Sequence, residues 1–186
     1  MEKIKAITTN YNGYRFRSRL EARWAVFFDS LGIDWLYEPE GFALANGEAY
    51  LPDFFLPTFS GGIWVEVKFP GGDVSKAHQF AKEGKGLMWI CEGVPECRTY
   101  PVYSQDDWNT ATGEWDGMTA GDNNLGVPNF DQARGENRMF WSLGCENDDF
   151  TIPEEYWEDH YTAAVNAAKS ARFEYGETPQ IERDVQ

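Results

Sequence analysis

Apolar residues recur at helical spacing in one early segment of the chain. Ser18 and Glu21 have the S-x-x-E spacing of a capping box, and apolar residues then repeat every three or four positions up to Leu31. Gly32 follows, and glycine favours the left-handed backbone found just after helix ends. The pattern predicts a first helix over residues 18–31.

Short apolar segments with turn residues between them follow this helix. Asn46-Gly47 is a hairpin dipeptide, and the segments on either side of it are rich in aromatic or β-branched residues. The predicted strands are 33–38, 42–45, 49–56, 63–69 and 87–91. A short helix is predicted over residues 74–83. The first half of the chain is therefore predicted to begin with a helix and three or four mostly antiparallel strands, followed by a short helix and a buried strand.

The periodicity weakens between Pro95 and Asn147, where Gly, Asn, Asp and scattered aromatic residues predominate. Short strands are predicted there over 98–103 and 139–143. A second capping-box spacing, Thr151 to Glu154, predicts a last helix that ends at Gly176. The expected organisation is a core over 1–94, an irregular aromatic-rich insertion or extension over 95–150, a C-terminal helix packing on the core over 151–176, and a tail over 177–186.

The charge of the chain is unevenly distributed. Its 186 residues carry 16 Lys and Arg against 31 Asp and Glu, a net charge of −15. Residues 1–90 have ten basic and eleven acidic residues, a net of −1, whereas 91–186 have six and twenty, a net of −14. A polyanion such as DNA is therefore expected to approach the first half and to be repelled by the second.

Several classes of protein do not fit the sequence. No apolar run reaches the roughly 20 residues that a membrane helix needs, and no apolar signal segment follows Met1. The three cysteines, Cys91, Cys97 and Cys145, are too few for a disulfide scaffold, and their spacing with His160 is not that of a zinc site. We therefore expect no membrane association and a cytoplasmic location, which for a phage protein is the host cytoplasm.

Two acidic residues and a lysine lie around the predicted turn at 60–62. Asp53 closes one apolar segment, and Glu66 and Lys68 are two apart on the next strand, so they project from the same face. A hairpin would bring Asp53 across from them. Carboxylate and carbonyl oxygens suit Mg²⁺, so Asp53, Glu66 and the backbone carbonyl of Val67 are candidate metal ligands. Lys68 is a candidate to orient a metal-bound water and to stabilise the negative charge of a phosphoryl transition state.

The alternatives to this interpretation are structural. Asp53 can be a simple strand-end carboxylate, and Glu66 and Lys68 a solvent-facing ion pair. Glu21, which the first helix can aim at the same site, is equally explained as the capping-box partner of Ser18.

These residues resemble the signature of a known superfamily. Pro52-Asp53 followed by Glu66-Val67-Lys68 is similar to the motif of the PD-(D/E)XK nucleases, and the helix start at 17–21 is similar to their acidic helix. The run 14–68 also resembles TnsA-type transposon endonucleases and small phage-encoded nuclease-like proteins.

The resemblance implies a restriction-endonuclease-like α/β core, with a central mixed sheet flanked by helices and followed here by an acidic, loop-rich extension. It implies Mg²⁺-dependent cleavage of DNA, with Mn²⁺ able to substitute. Asp53 and Glu66 would bind the metal, Lys68 would be the catalytic lysine and Glu21 the acid on the helix. The acidity of the whole chain departs from what a free-standing DNA enzyme should show.

The basic residues suggest how DNA would be bound. The candidates are Arg15, Arg17, Arg19, Arg23 and Lys76, although each can equally be an ordinary surface residue. A homodimer is a further candidate assembly, because many such nucleases pair to cut both strands. The competing function is an acidic inhibitor that imitates DNA and binds a host defence complex, and docking in a larger phage assembly is a third.

Overall fold

Helices cover both faces of a central sheet. The computed structural model describes residues 7–57, 62–96, 100, 102–106, 108–115, 128–130, 139–141, 154–173 and 179. Within these ranges the helices are α1 (Arg19–Ser30), α2 (Ser75–Lys82) and α3 (Glu154–Ser170). The strands are β1 (Thr9–Tyr11), β2 (Tyr14–Phe16), β3 (Leu36–Tyr37), β4 (Phe42–Ala43), β5 (Ala49–Tyr50), β6 (Phe54–Leu56), β7 (Ile63–Lys68), β8 (Leu87–Glu92), β9 (Val102–Tyr103), β10 (Trp108–Asn109), β11 (Glu114–Trp115), β12 (Pro128–Phe130) and β13 (Met139–Trp141).

The central sheet is mixed and has five strands in the order β3-β6-β7-β8-β9. β7 and β8 run parallel and are joined through α2, whereas the other neighbouring strands are antiparallel. The remaining described strands pair as four separate hairpins. The prediction of an α/β fold with a central mixed sheet is therefore confirmed.

Alternate residues of β7 face two different apolar clusters. Val65 and Val67 pack with α1 and α3, whereas Trp64 packs with Phe80 of α2 and with Met88. Both faces of the strand are consequently covered. The face that carries Glu66 is not the solvated surface that the ion-pair alternative required, because α2 and the β4–β5 hairpin lie over it.

Several predicted elements have different bounds in the structure. Residues 49–56, predicted as one strand, form β5 and β6 in two different sheets, separated at Pro52, which has no amide hydrogen to give to a ladder. The strand predicted over 33–38 contains only the two residues of β3. The β1–β2 hairpin was missed, although Asn12-Gly13 is a hairpin dipeptide, and both residues have positive φ, 47° and 79°.

The last helix is shorter than predicted and ends at Ser170 rather than near Gly176. The guanidinium of Arg23 on α1 donates to the carbonyl of Ala168, at 2.7 Å, and to that of Lys169. Carbonyls of a last helical turn lack partners within the helix, so this side chain stabilises the end of α3. Most of the predicted 95–150 segment and the 177–186 tail lie outside the described residues.

A buried carboxylate ties α1 to two other segments. Asp29 is 4% exposed, and it accepts a 2.8 Å hydrogen bond from the Tyr11 hydroxyl and a 3.1 Å bond from the Trp35 indole. We expect Asp29→Ala to lower the free energy of unfolding by about 2–3 kcal/mol, because both buried donors lose a charged acceptor. Chemical denaturation measures the change. The matched control is Asp34→Ala at an exposed position, and an equal loss in both variants would contradict this role.

Among the described residues, no helix has both the length and the apolar composition required to cross a membrane.

Candidate active site

Two buried acids meet where β6 and β7 pair. The antiparallel register pairs Phe54 with Val65, and extending it by one residue places Asp53 opposite Glu66. The amide of Asp53 donates to the Val65 carbonyl at 3.1 Å, which continues the ladder to this position. Asp53 and Glu66 are each only 4% exposed. We call Asp53 and Glu66 the acid pair.

Asp53 is held by its neighbours on both carboxylate oxygens. Its Oδ2 accepts a hydrogen bond from the Val67 amide at 2.8 Å, and its Oδ1 lies 3.2 Å from Nη2 of Arg17. Burial raises the pKa of Asp53 well above its usual range, and the negative charges of Glu66 and Glu21 raise it further. The Val67 amide and Lys68 oppose that shift without cancelling it. The site is therefore short of positive charge.

Glu66 has a lysine on one oxygen and a tyrosine on the other. Its Oε1 forms an ion pair with Nζ of Lys68, and its Oε2 accepts a 2.7 Å hydrogen bond from the Tyr50 hydroxyl. Burial alone would lower the pKa of Lys68, but the negative charges of Glu66 and Asp53 together more than offset this, so its pKa lies above the ordinary lysine value. Lys68 therefore remains a cation at neutral pH.

Tyr50 was missed by the sequence analysis. It lies on β5, outside the central sheet, and it is buried beside Phe80. Burial and the negative charge of Glu66 both raise its pKa, so its hydroxyl stays protonated and donates. A tyrosine within an apolar segment has the signature of a core residue, and only the folded hairpin reveals that its hydroxyl faces Glu66.

Glu21 makes the contacts of a helix cap and also lies near the acid pair. Ser18 Oγ accepts from the Glu21 amide at 3.1 Å and donates to Glu21 Oε1 at 2.6 Å. Glu21 Oε2 accepts from the Tyr37 hydroxyl at 2.6 Å and from the Arg17 amide at 3.1 Å. The capping alternative thus accounts for its contacts with Ser18 but not for its bonds with Tyr37 and Arg17, and its charge also acts on Asp53.

The basic residues predicted to bind DNA lie in different parts of the fold and make different contacts. Arg17 contacts Asp53 and also forms an ion pair with Glu38. Arg15 is exposed on β2, and Arg19 is half-buried in the first turn of α1. Arg23 caps α3, as described above. Lys76 donates to the carbonyl of Ala49 at 3.1 Å and lies 3.3 Å from a carboxylate oxygen of Glu48.

The acid pair suits a hard divalent cation by donor type, because it offers carboxylate oxygens short of positive charge. The Val67 carbonyl was predicted as a metal ligand, and the structure shows in addition that the Val67 amide donates to Asp53. In the part of the chain that the structure describes, no three His, Cys, Asp or Glu side chains are grouped as ligands for one ion. A divalent ion would therefore rest on two carboxylates, and would have to compete with the groups that now contact them.

The fold and the site together define an α/β protein with a buried acid pair and a lysine where two central strands meet. No family model matches the chain, and neither the curated proteins nor the solved structures give a match. The functional interpretation therefore rests on the residues of the site itself.

Of the cysteines considered for zinc, Cys91 is buried in β8, and Cys97 and Cys145 lie outside the described residues.

Proposed function

We propose that this protein is a Mg²⁺-dependent DNA endonuclease with a restriction-endonuclease-like core, of the kind carried by phages and mobile elements. One observation carries the proposal: Asp53 and Glu66 lie side by side, buried, with Lys68 against Glu66. A purely structural role does not favour this grouping, because burying two nearby carboxylates costs free energy. A catalytic role would explain why both carboxylates are buried at this position.

In the proposed hydrolysis of a phosphodiester, each residue of the site has a separate role. Asp53 and Glu66 would hold the ion, and the Val67 amide and Tyr50 hydroxyl fix the orientation of their carboxylates. Lys68 keeps its proton and places a positive charge beside Glu66, where it can orient the attacking water and stabilise the charge of the transition state. When bound, Mg²⁺ or Mn²⁺ lowers the pKa of a water ligand and polarises the phosphoryl oxygen.

DNA would reach this site over the first half of the chain. The net charge of residues 1–90 is −1, against −14 for residues 91–186, so the first half repels phosphates far less. Arg15 is exposed in this half, and arginine forks match phosphate geometry. We propose that bound DNA contacts the first half of the chain and not the acidic half.

The test is cleavage of supercoiled, linear and branched DNA by the full chain with Mg²⁺ or Mn²⁺. Lys68→Ala is expected to lower the cleavage rate by about 10²-fold or more, because a positive charge that acts on the transition state is lost. Lys85→Ala is the matched control, since Lys85 pairs with Glu83 rather than with the acid pair, and it should cut normally. Cutting by Lys68→Ala at the parent rate, or no cutting by the parent on any substrate with either ion, would refute the enzyme.

The charge asymmetry favours a second candidate function. A net charge of −14 over 96 residues can imitate the phosphates of DNA, so an inhibitor of a DNA-binding host defence complex is the alternative. This inhibitor would compete with DNA for that complex, and its competition would persist in Lys68→Ala. A nuclease would show the opposite pattern, with metal-dependent cutting that Lys68→Ala abolishes.

A further inference from the structure

The partners of the acid pair differ in how readily they can leave. The Val67 amide belongs to the backbone of a central strand, and Tyr50 is buried. Lys68 lies on the same strand as Glu66, two residues away. Arg17, in contrast, reaches Asp53 from the segment before α1, and 57% of its side chain is exposed. Of these four contacts, that of Arg17 is the one that solvent can most easily replace.

The Arg17 side chain can move without disturbing its backbone. The Arg17 amide donates to Glu21 Oε2 at 3.1 Å and to the Tyr37 hydroxyl at 3.0 Å, so the start of α1 keeps two hydrogen bonds of its own, although the guanidinium also contacts the Tyr37 hydroxyl. Removing the side chain should therefore leave this part of the fold intact.

Glu38 gives the guanidinium a second carboxylate beside the acid pair. Glu38 forms an ion pair with Arg17, and its amide donates to the Asp53 carbonyl at 2.9 Å. Its φ of 46° lies in the left-handed region, which a residue with a side chain rarely adopts. The local backbone thus holds Glu38 in a strained conformation, with its carboxylate in contact with Arg17. Arg17 can consequently leave Asp53 while remaining paired.

We propose that Arg17 is the exchangeable counter-ion of Asp53, bound to the carboxylate in the metal-free protein and displaced when a divalent cation binds. This inference rests on the proposed function. The arginine and the divalent ion are both cations drawn to one buried carboxylate, so each lowers the affinity for the other by the same factor. After displacement the guanidinium would still be paired with Glu38 beside the acid pair, and its remaining N–H groups could bind a phosphate.

The test is direct titration of the full chain with Mn²⁺, by calorimetry at alkaline pH and without DNA. Arg17→Gln is expected to bind Mn²⁺ about fivefold or more tightly than the parent, the lower end of typical coupling because Arg17 is half-exposed. Arg17→Lys keeps the positive charge and should bind with nearly the parent's affinity. Arg15→Gln removes the same charge from an exposed position two residues away and should leave the affinity unchanged.

Two further results complete the test. Asp53→Asn should weaken Mn²⁺ binding by itself, so it is measured alone and together with Arg17→Gln. The gain from Arg17→Gln should be smaller in the Asp53→Asn background than in the parent, which would locate the effect at Asp53. Thermal unfolding should show that every variant is folded. If the parent binds Mn²⁺ and cuts DNA but Arg17→Gln binds no more tightly, the exchange is refuted and the nuclease stands. If neither the parent nor Arg17→Gln binds Mn²⁺ and no DNA is cut, both proposals fail.

Discussion

Asp53→Asn is expected to abolish DNA cleavage while leaving the metal-free protein at least as stable as the parent. The cleavage rate should fall on the order of 10²–10³-fold or more, because the acid pair loses half of the charge that would hold the ion. Asparagine can still accept the hydrogen bond from the Val67 amide through its side-chain oxygen. The substitution also removes a carboxylate whose pKa is raised by burial and, in addition, by the negative charges of Glu66 and Glu21.

The raised pKa of Asp53 determines whether the stability of the protein rises or falls with pH. Since the pKa of Asp53 is raised on folding, the folded protein binds this proton more tightly than the unfolded chain does. The parent should therefore lose stability as the pH rises from the ordinary value of 3.8 towards the raised pKa. Asp53→Asn should lack this loss. Chemical denaturation of the parent and of Asp53→Asn, in the presence of a chelator and over a range of pH, measures this difference. If Asp53→Asn is much less stable than the parent at neutral pH, Asp53 is mainly structural.

Trp24→Ala is expected to lower the free energy of unfolding by about 3–5 kcal/mol. Trp24 is fully buried on α1, and its indole donates to the Gly93 carbonyl at 2.9 Å. Its ring packs edge-on against Trp89, with centroids 5.8 Å apart, and against Tyr100 at 5.2 Å. The variant would leave a large cavity and a carbonyl without its donor. Urea denaturation followed by circular dichroism measures the loss.

Two comparison variants make this prediction decisive. Trp24→Phe keeps most of the volume and should cost about 1–2 kcal/mol, which allows a measurement even if the alanine variant does not fold. Phe69→Ala removes an aromatic ring that is 51% exposed and should change stability by less than about 0.5 kcal/mol. If Trp24→Ala and Phe69→Ala lower the free energy of unfolding by the same amount, the packing of Trp24 on α1 is not a major source of stability.

Local signals were enough for the elements that a few neighbouring residues specify. The capping box at Ser18 and Glu21 predicted α1, which begins at Arg19 with Ser18 as its cap. Asn46-Gly47 correctly predicted the β4–β5 hairpin. The turn before β7 also predicted that Asp53 would lie across from Glu66, because the side chains of paired strands follow a fixed register.

Contacts between distant segments could not be predicted in this way. Tyr50 and Glu66 are 16 residues apart and belong to different sheets, and Arg23 reaches a helix end 145 residues further along the chain. The sequence grouped Arg17 with the other arginines as a DNA contact. Its pairing with Asp53 and Glu38 depends on how the start of α1 packs against the ends of β3 and β6.

The sequence by itself determined the order of most helices and strands in the first half, the uneven charge, and the placing of two acids and a lysine around one turn. Those features depend on local propensity, strand register and composition, which act between near neighbours. The tertiary structure decided that both faces of β7 are covered, and hence that the acid pair is buried. It also decided which cations and donors surround these carboxylates, because burial and long-range electrostatics arise only when separate segments pack together.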